Sequence, residues 1–256
     1  MDSKIAISQS YSPNIDKAYP ENIFWGDTHV HTNLSVDSHS AIYRILGGDV
    51  LGLEEAYRFA KGESVRAPNG MKVALRRPLD FVVLADHAGN LGLIPSLEER
   101  DPRLLKTLPG ELLYEQWQAV KFDKIKFRPF MSRLFATEDA DGPLMPSGLF
   151  KSVWQTIGAT ADKHNQPGQF TAFIGYEWTS FGTRKLESNL HRVVLFKDDA
   201  NKTNQVLPFS AFDSLDPVDL WQYLESYERI TGGEVLAIPH NGNLSGGGMF
   251  SLIDRK

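Results

Sequence analysis

The chain has 256 residues, of which 41% are apolar, 11% aromatic and 23% charged, a composition that supports a buried core and excludes a disordered, collagenous or fibrous protein. Its 27 basic and 32 acidic residues leave a net charge of −5, so no diffuse basic surface exists to hold nucleic acid by counterion release. Cysteine is absent, which removes disulfides, zinc–thiolate sites, iron–sulfur clusters and thiol nucleophiles together and leaves His, Asp and Glu to hold any metal.

Residues 1–20 are polar and without period, and read as an extended lead-in without the apolar core of a signal peptide. Location stays open between the cytoplasm and, if a signal peptide has been removed, the periplasm. No run approaches the roughly 18 apolar residues of a membrane span. Residues 21–256 are expected to form one domain, since a single α/β barrel takes about 250 residues.

The first strand is expected over Asn22 to Val30 and runs into Asp27-Thr28-His29-Val30-His31. A period of two places Asp27, His29 and His31 on one side, so two imidazoles reach one cation while Asp27 accepts a proton from one of them. Read alone, a His-x-His pair is a weak signal, and His29 and His31 are more often polar strand-end residues than ligands. A helix over Leu53 to Lys61 stops at Gly62. The second strand, Pro78 to Leu84, leads into Asp86-His87, which is either a site or a loop pair bonded to backbone. Residues 91–146 are long and charged and read as an insertion over one face of the sheet.

Phe150, Val153, Trp154, Ile157 and Ala161 form one helical stripe behind Ser147 as its cap. His164, after that stripe, is expected to be solvated at the helix C-terminus. The third strand, Phe170 to Tyr176, ends on Glu177, whose burial calls for a cation or for Arg184 or Arg192. His191 and Arg192 open the fourth strand, Arg192 to Phe196. A helix from Pro217 to Ile230 is capped by Asp216 and stopped by Gly232-Gly233, with Val218, Trp221 and Leu224 facing inward. The fifth strand, Val235 to Ile238, closes on His240.

Strands alternating with helices predict a mostly parallel sheet, whose strand ends are where sites are built. Five ends carry His-x-His, Asp-His, Glu, His and His, a nitrogen and oxygen ligand set larger than one tetrahedral ion needs. More than one metal ion is implied.

In this order the motifs resemble the PHP (polymerase and histidinol phosphatase) superfamily. The phrases Trp25-Gly26-Asp27-Thr28-His29-Val30-His31-Thr32, Arg77-Pro78-Leu79-Asp80-Phe81 with Ala85-Asp86-His87, Gly175-Tyr176-Glu177-Trp178 and Ile238-Pro239-His240-Asn241 are similar to a bacterial PHP-like branch catalogued as domain of unknown function 3604. The resemblance implies an α/β fold, a distorted TIM-like (β/α)7 barrel with two or three Zn, Mn or Fe ions that hydrolyses phosphoric esters. It assigns His29, His31 and Glu177 to a first ion, bridges Glu177 to a second held by His191 and His240, and places Asp37 with His87 on a third, with His39 competing for Asp37's position. Asp86 is expected to orient water or an imidazole, Arg192 to clamp a phosphate oxygen, and His240 to serve catalysis as well as binding. The family's closing Asp-x-His is missing before Lys256, which implies a truncated chain and a barrel open at one edge, prone to self-association. An amidohydrolase-like hydrolase, a non-catalytic metal-stabilised binding domain and an inactive fragment are the alternatives.

Overall fold

In the computed structural model, residues 22–39, 50–135, 142–180 and 189–250 are described. The expected lead-in at 1–20 and Arg184 lie outside them.

Five strands form one sheet: β1 (Gly26–Val30), β4 (Phe81–Leu84), β5 (Thr171–Trp178), β6 (Arg192–Phe196) and β7 (Val235–Pro239), in that spatial order. A short hairpin, β2 (Val65–Arg66) with β3 (Lys72–Val73), stands apart. The fold is mixed α/β, and the sheet curls into half a barrel; among the described residues it does not close. Nor is it mostly parallel. β1, β4 and β5 are parallel neighbours, but β6 is antiparallel to both β5 and β7.

One face of the sheet is covered by helices. Leu53–Ala60 (α1) ends where Gly62, at φ 80°, takes the left-handed turn that a side chain would strain. Ser147–His164 (α6) buries Trp154, Ile157 and Ala161. Its cap is not the Ser147 side chain: Pro146 precedes the helix, its carbonyl takes the first N–H bonds, and Ser147 is already helical. Pro217–Thr231 (α8) begins as expected at Asp216, whose carboxylate accepts from the Val218 N–H at 2.8 Å. Its inward stripe is Leu220, Leu224 and Tyr227, whereas Val218 and Trp221 are 53% and 38% exposed. At 100° per residue the expected stripe was one position out of phase. These helices and the sheet enclose one core containing Tyr57, Leu84, Tyr176, Trp178 and Phe196.

The stretch read as an insertion holds Leu93–Glu98 (α2), Pro102–Leu105 (α3), Leu108–Val120 (α4) and Lys124–Phe135 (α5). They bury a second core around Leu97, Leu113, Trp117 and Phe130, and Phe150 and Val153 of α6 pack against both cores. A one-turn helix, α7 (Ala200–Thr203), lies beside α6. No helix among the described residues is long and apolar enough to cross a membrane.

Val83, Ala85 and Val193 are buried on the concave face of the sheet, with Phe173, Leu195 and Ile238 beside them. A Cβ on Gly175 would stand 2.5 Å from Val83 Cγ1 and 2.7 Å from the Val194 carbonyl, so only glycine lets β5 approach its neighbours this closely two residues before Glu177.

Candidate metal centre

Strand direction gathers the site. β1, β4, β5 and β7 point the same way and present their C-terminal ends, while the reversed β6 presents its N-terminal end at the same rim. His29 and His31, His87, Glu177, His191 and His240 meet there. Within each strand end the pleat then separates neighbours. Glu177 pairs with Val193 on the concave side, and Trp178 pairs with Arg192 on the helix-covered side.

Glu177 is 1% exposed and lies at the centre of the cluster. Its Oε1 is 2.7 Å from His191 Nδ1 and 2.9 Å from His240 Nε2. Its Oε2 is 3.1 Å from His29 Nε2, 2.9 Å from His31 Nε2 and 3.2 Å from His87 Nδ1. Asp37, on the one-turn 3-10 helix Val36–Ser38, stands at the open side with its side chain 45% exposed. Its Oδ1 is 2.9 Å from His31 Nδ1 and its Oδ2 is 3.3 Å from His87 Nε2.

Burial by itself would raise the Glu177 carboxyl, but hydrogen bonds from His191, His240, His29 and His31 hold it well below the usual carboxylate range. Burial likewise raises Asp37, yet His31 and His87 hold it well below that range too. Burial opposes charge on His31, but hydrogen bonds to Asp37 and Glu177 push its pKa up to about 10. His191 is shifted down by burial, which outweighs its bond to Glu177. The two carboxylates are therefore anions that draw positive charge into a buried site.

The donor set fits divalent ions. Three groups, His29–His31–Glu177, His31–Asp37–His87 and His87–Glu177–His191, each keep their ligand atoms within 4.8 Å of one another. The Nε2 atoms of His29 and His31 converge to 2.9 Å, with both turned toward Glu177 Oε2. A tetrahedral ion with donors at about 2.1 Å would set them roughly 3.4 Å apart, a small opening of the contacts seen. The buried Nδ1 of His240 has no hydrogen-bond partner among the described residues.

Of the expected ligands, the structure brings together His29, His31, Asp37, His87, Glu177, His191 and His240. It separates Asp37 from its competitor: His39 is buried elsewhere, with Nε2 2.6 Å from the Asn33 carbonyl and its ring edge-on to Trp117. It places His87 with His191 as well as with Asp37, a sharing the expected assignment did not contain. Asp86 does not face an imidazole. The pleat turns it away from His87, and its carboxylate accepts from the Thr32 N–H at 2.5 Å and hydroxyl at 2.8 Å. Its role is to pin the segment after β1.

Arg192, expected to clamp phosphate, lies on the face opposite Glu177. It is 4% exposed, donates to the Leu190 carbonyl, and its guanidinium sits 5.6 Å from the Trp178 ring and 5.1 Å from the Trp221 ring. Burial lowers its pKa to about 10. It is not the ion-pair partner of Glu177 either. Asp27 also departs from expectation. A register shift between Asp27 and Val30 breaks the period of two, and its carboxylate accepts the backbone N–H of His29 at 2.9 Å. His164, expected to be solvated, is buried, stacked on Tyr57 and 2.7 Å from Glu54.

Sequence reasoning missed Ser35 and Thr179. The Ser35 hydroxyl donates to Asp37 Oδ1 at 2.7 Å, lies 3.0 Å from His31 Nδ1 and accepts the His87 N–H at 3.3 Å. The Thr179 hydroxyl meets His87 Nδ1. Small hydroxyl residues next to a ligand motif are the only signal that would have found them.

The family described as "Protein of unknown function (DUF3604)" matches residues 18–256. The chain belongs to the DUF3604 family. No curated protein and no solved structure matches this DUF3604 chain.

Proposed function

We propose that this DUF3604 chain is a metal-dependent hydrolase of phosphoric esters, a PHP-type phosphoesterase acting on a small-molecule substrate. The observation that carries the reading is Glu177, a buried carboxylate with imidazoles on both oxygens, as a group shared between two cations requires. The curled sheet supports a distorted (β/α)7 barrel as its scaffold. Two or three divalent ions, Zn, Mn or Fe, would lower the pKa of a coordinated water to about 7 and polarise a phosphoryl oxygen.

The chain supplies the rest. His29, His31 and Glu177 would hold one ion, Glu177 with His191 and His240 a second, and Asp37 with His87 a third. Ser35 and Thr179 orient the rings of His31 and His87. Asp37, the ligand open to solvent, lies on the side from which substrate arrives. The buried sides of the cluster exclude bulk water, which strengthens its electrostatics.

The resemblance also bears on the rival reading: amidohydrolase-like enzymes commonly carry a bridging Lys on the mid-barrel strand, where this chain has Glu177. The test is a screen of phosphate mono- and diesters with chelator-treated and metal-restored protein. Turnover restored by Mn or Zn and rising with pH is the expected result. A clean preference for amides or lactones would move the protein to the amidohydrolase class. Full metal loading without any turnover would leave a metal-stabilised binding domain.

A further inference from the structure

One cavity shares its wall with the cluster. About 720 Å3 in volume, it is lined by His31 and Asp37 at the rim, by Gly26 at the opposite end of β1, and by Val30, Phe59 and Leu79 between them. It therefore runs the length of the five-residue strand, about 16 Å at the usual rise per residue, between the helix-covered side of β1 and α1. No lysine or arginine is among the described residues that line it. A second phosphate or a carboxylate would find no cation there, and Asp27 and Asp37 would repel it.

We infer that this groove receives the apolar alcohol portion of the ester whose phosphoryl group meets the metal cluster, so that the substrate class is the phosphate ester of an extended hydrophobic alcohol. This rests on the phosphoesterase reading and adds the identity of the leaving group. Both ends of such a molecule are satisfied at once. The anionic head lies against His31 and Asp37 with their cations, and the body displaces water from an apolar wall. Short or strongly polar alcohols would leave that wall wet.

The test uses methyl-, butyl- and octylphosphonate, which are not hydrolysed, titrated calorimetrically into the metal-loaded chain. Affinity should rise with length, by up to about fourfold for each methylene that enters the groove. Ala56→Trp, which places an indole in the groove from α1 without touching the cluster, should abolish that rise and keep both metal content and methylphosphonate affinity. Equal affinity for all three phosphonates, or a length dependence that survives Ala56→Trp, overturns the inference and leaves the phosphoesterase reading standing. Failure of every phosphonate to bind tells against the phosphoesterase reading instead. The groove is then judged on decanol alone with metal-free protein: binding that Ala56→Trp removes supports it, and no binding overturns it.

Discussion

Replacing Glu177 by Gln keeps the shape of the side chain and removes its charge, which isolates what the carboxylate contributes. In the structure its two oxygens serve different imidazole sets, Oε1 for His191 and His240 and Oε2 for His29, His31 and His87. Loss of the charge therefore weakens two ions rather than one. At an effective dielectric of about 20, a unit charge a few ångströms from a divalent ion is worth several kcal/mol. Part of this is offset because the desolvation cost of a buried carboxylate disappears as well. A net loss near 3 kcal/mol per ion corresponds to about 100-fold in affinity. Metal content after dialysis, followed by chelator competition, should fall by about two equivalents in Glu177→Gln. Asp37→Asn is the control, because the imidazoles Asp37 meets are His31 and His87 and its loss should remove about one. If Glu177→Gln retains its metal, or loses no more than Asp37→Asn, the shared-carboxylate reasoning is wrong.

Three further outcomes follow from the geometry. Asp86→Ala strands the buried Thr32 N–H and hydroxyl, at about 1–3 kcal/mol of stability in urea titration, whereas Asp86→Asn keeps one acceptor and should lose less; equal losses would mean that Thr32 finds other partners. Arg192→Lys should cost about 1–2 kcal/mol through the two tryptophan faces, yet change kcat/KM for phosphate esters less than threefold, and a hundredfold fall with metal intact would restore the phosphate clamp. Glu54, held below the usual carboxylate range by Lys163 and then His164, contributes stability that is present above its ordinary pKa and lost as pH falls through its folded-state value. Glu54→Gln should accordingly cost under about 1 kcal/mol at pH 7, given its exposure, and nothing once acid has protonated the carboxyl in both states, so an equal deficit at pH 7 and pH 3 would refute the pairing.

Most of the cluster was legible because His29, His31, His87, Glu177, His191 and His240 each border a short apolar run, and such runs are strands whatever their neighbours do; Asp37 borders none and came only from the family resemblance. What composition and spacing could not convey was direction. His191 opens its strand rather than closing it, and it reaches the common rim only because β6 runs against β5 and β7. Nor could they convey the pleat's sorting of adjacent pairs. In Asp86-His87 and His191-Arg192 both members looked chemical, but alternate residues of a strand face opposite ways, so His87 and His191 enter the cluster while Asp86 and Arg192 turn to the other side. The irregularity between Asp27 and Val30 defeated the same rule in reverse. Helix faces were least secure: Trp221 is large and apolar but lies at the edge of α8's buried stripe. His164 was misplaced because its partner, Glu54, is 110 residues away in sequence.

The guanidinium of Arg192 between Trp178 and Trp221 also gives the protein an optical reporter. Trp178 is covalently next to Glu177 and Arg192 next to His191, so a change in spacing at this rim reaches a charged group flanked by two indoles, one deeply buried and one half-open. Emission from an indole responds to the field of a nearby cation. Filling or emptying the cluster should thus be readable as a shift in intrinsic fluorescence, without label or substrate, and Trp221→Phe would show which of the two rings carries the signal.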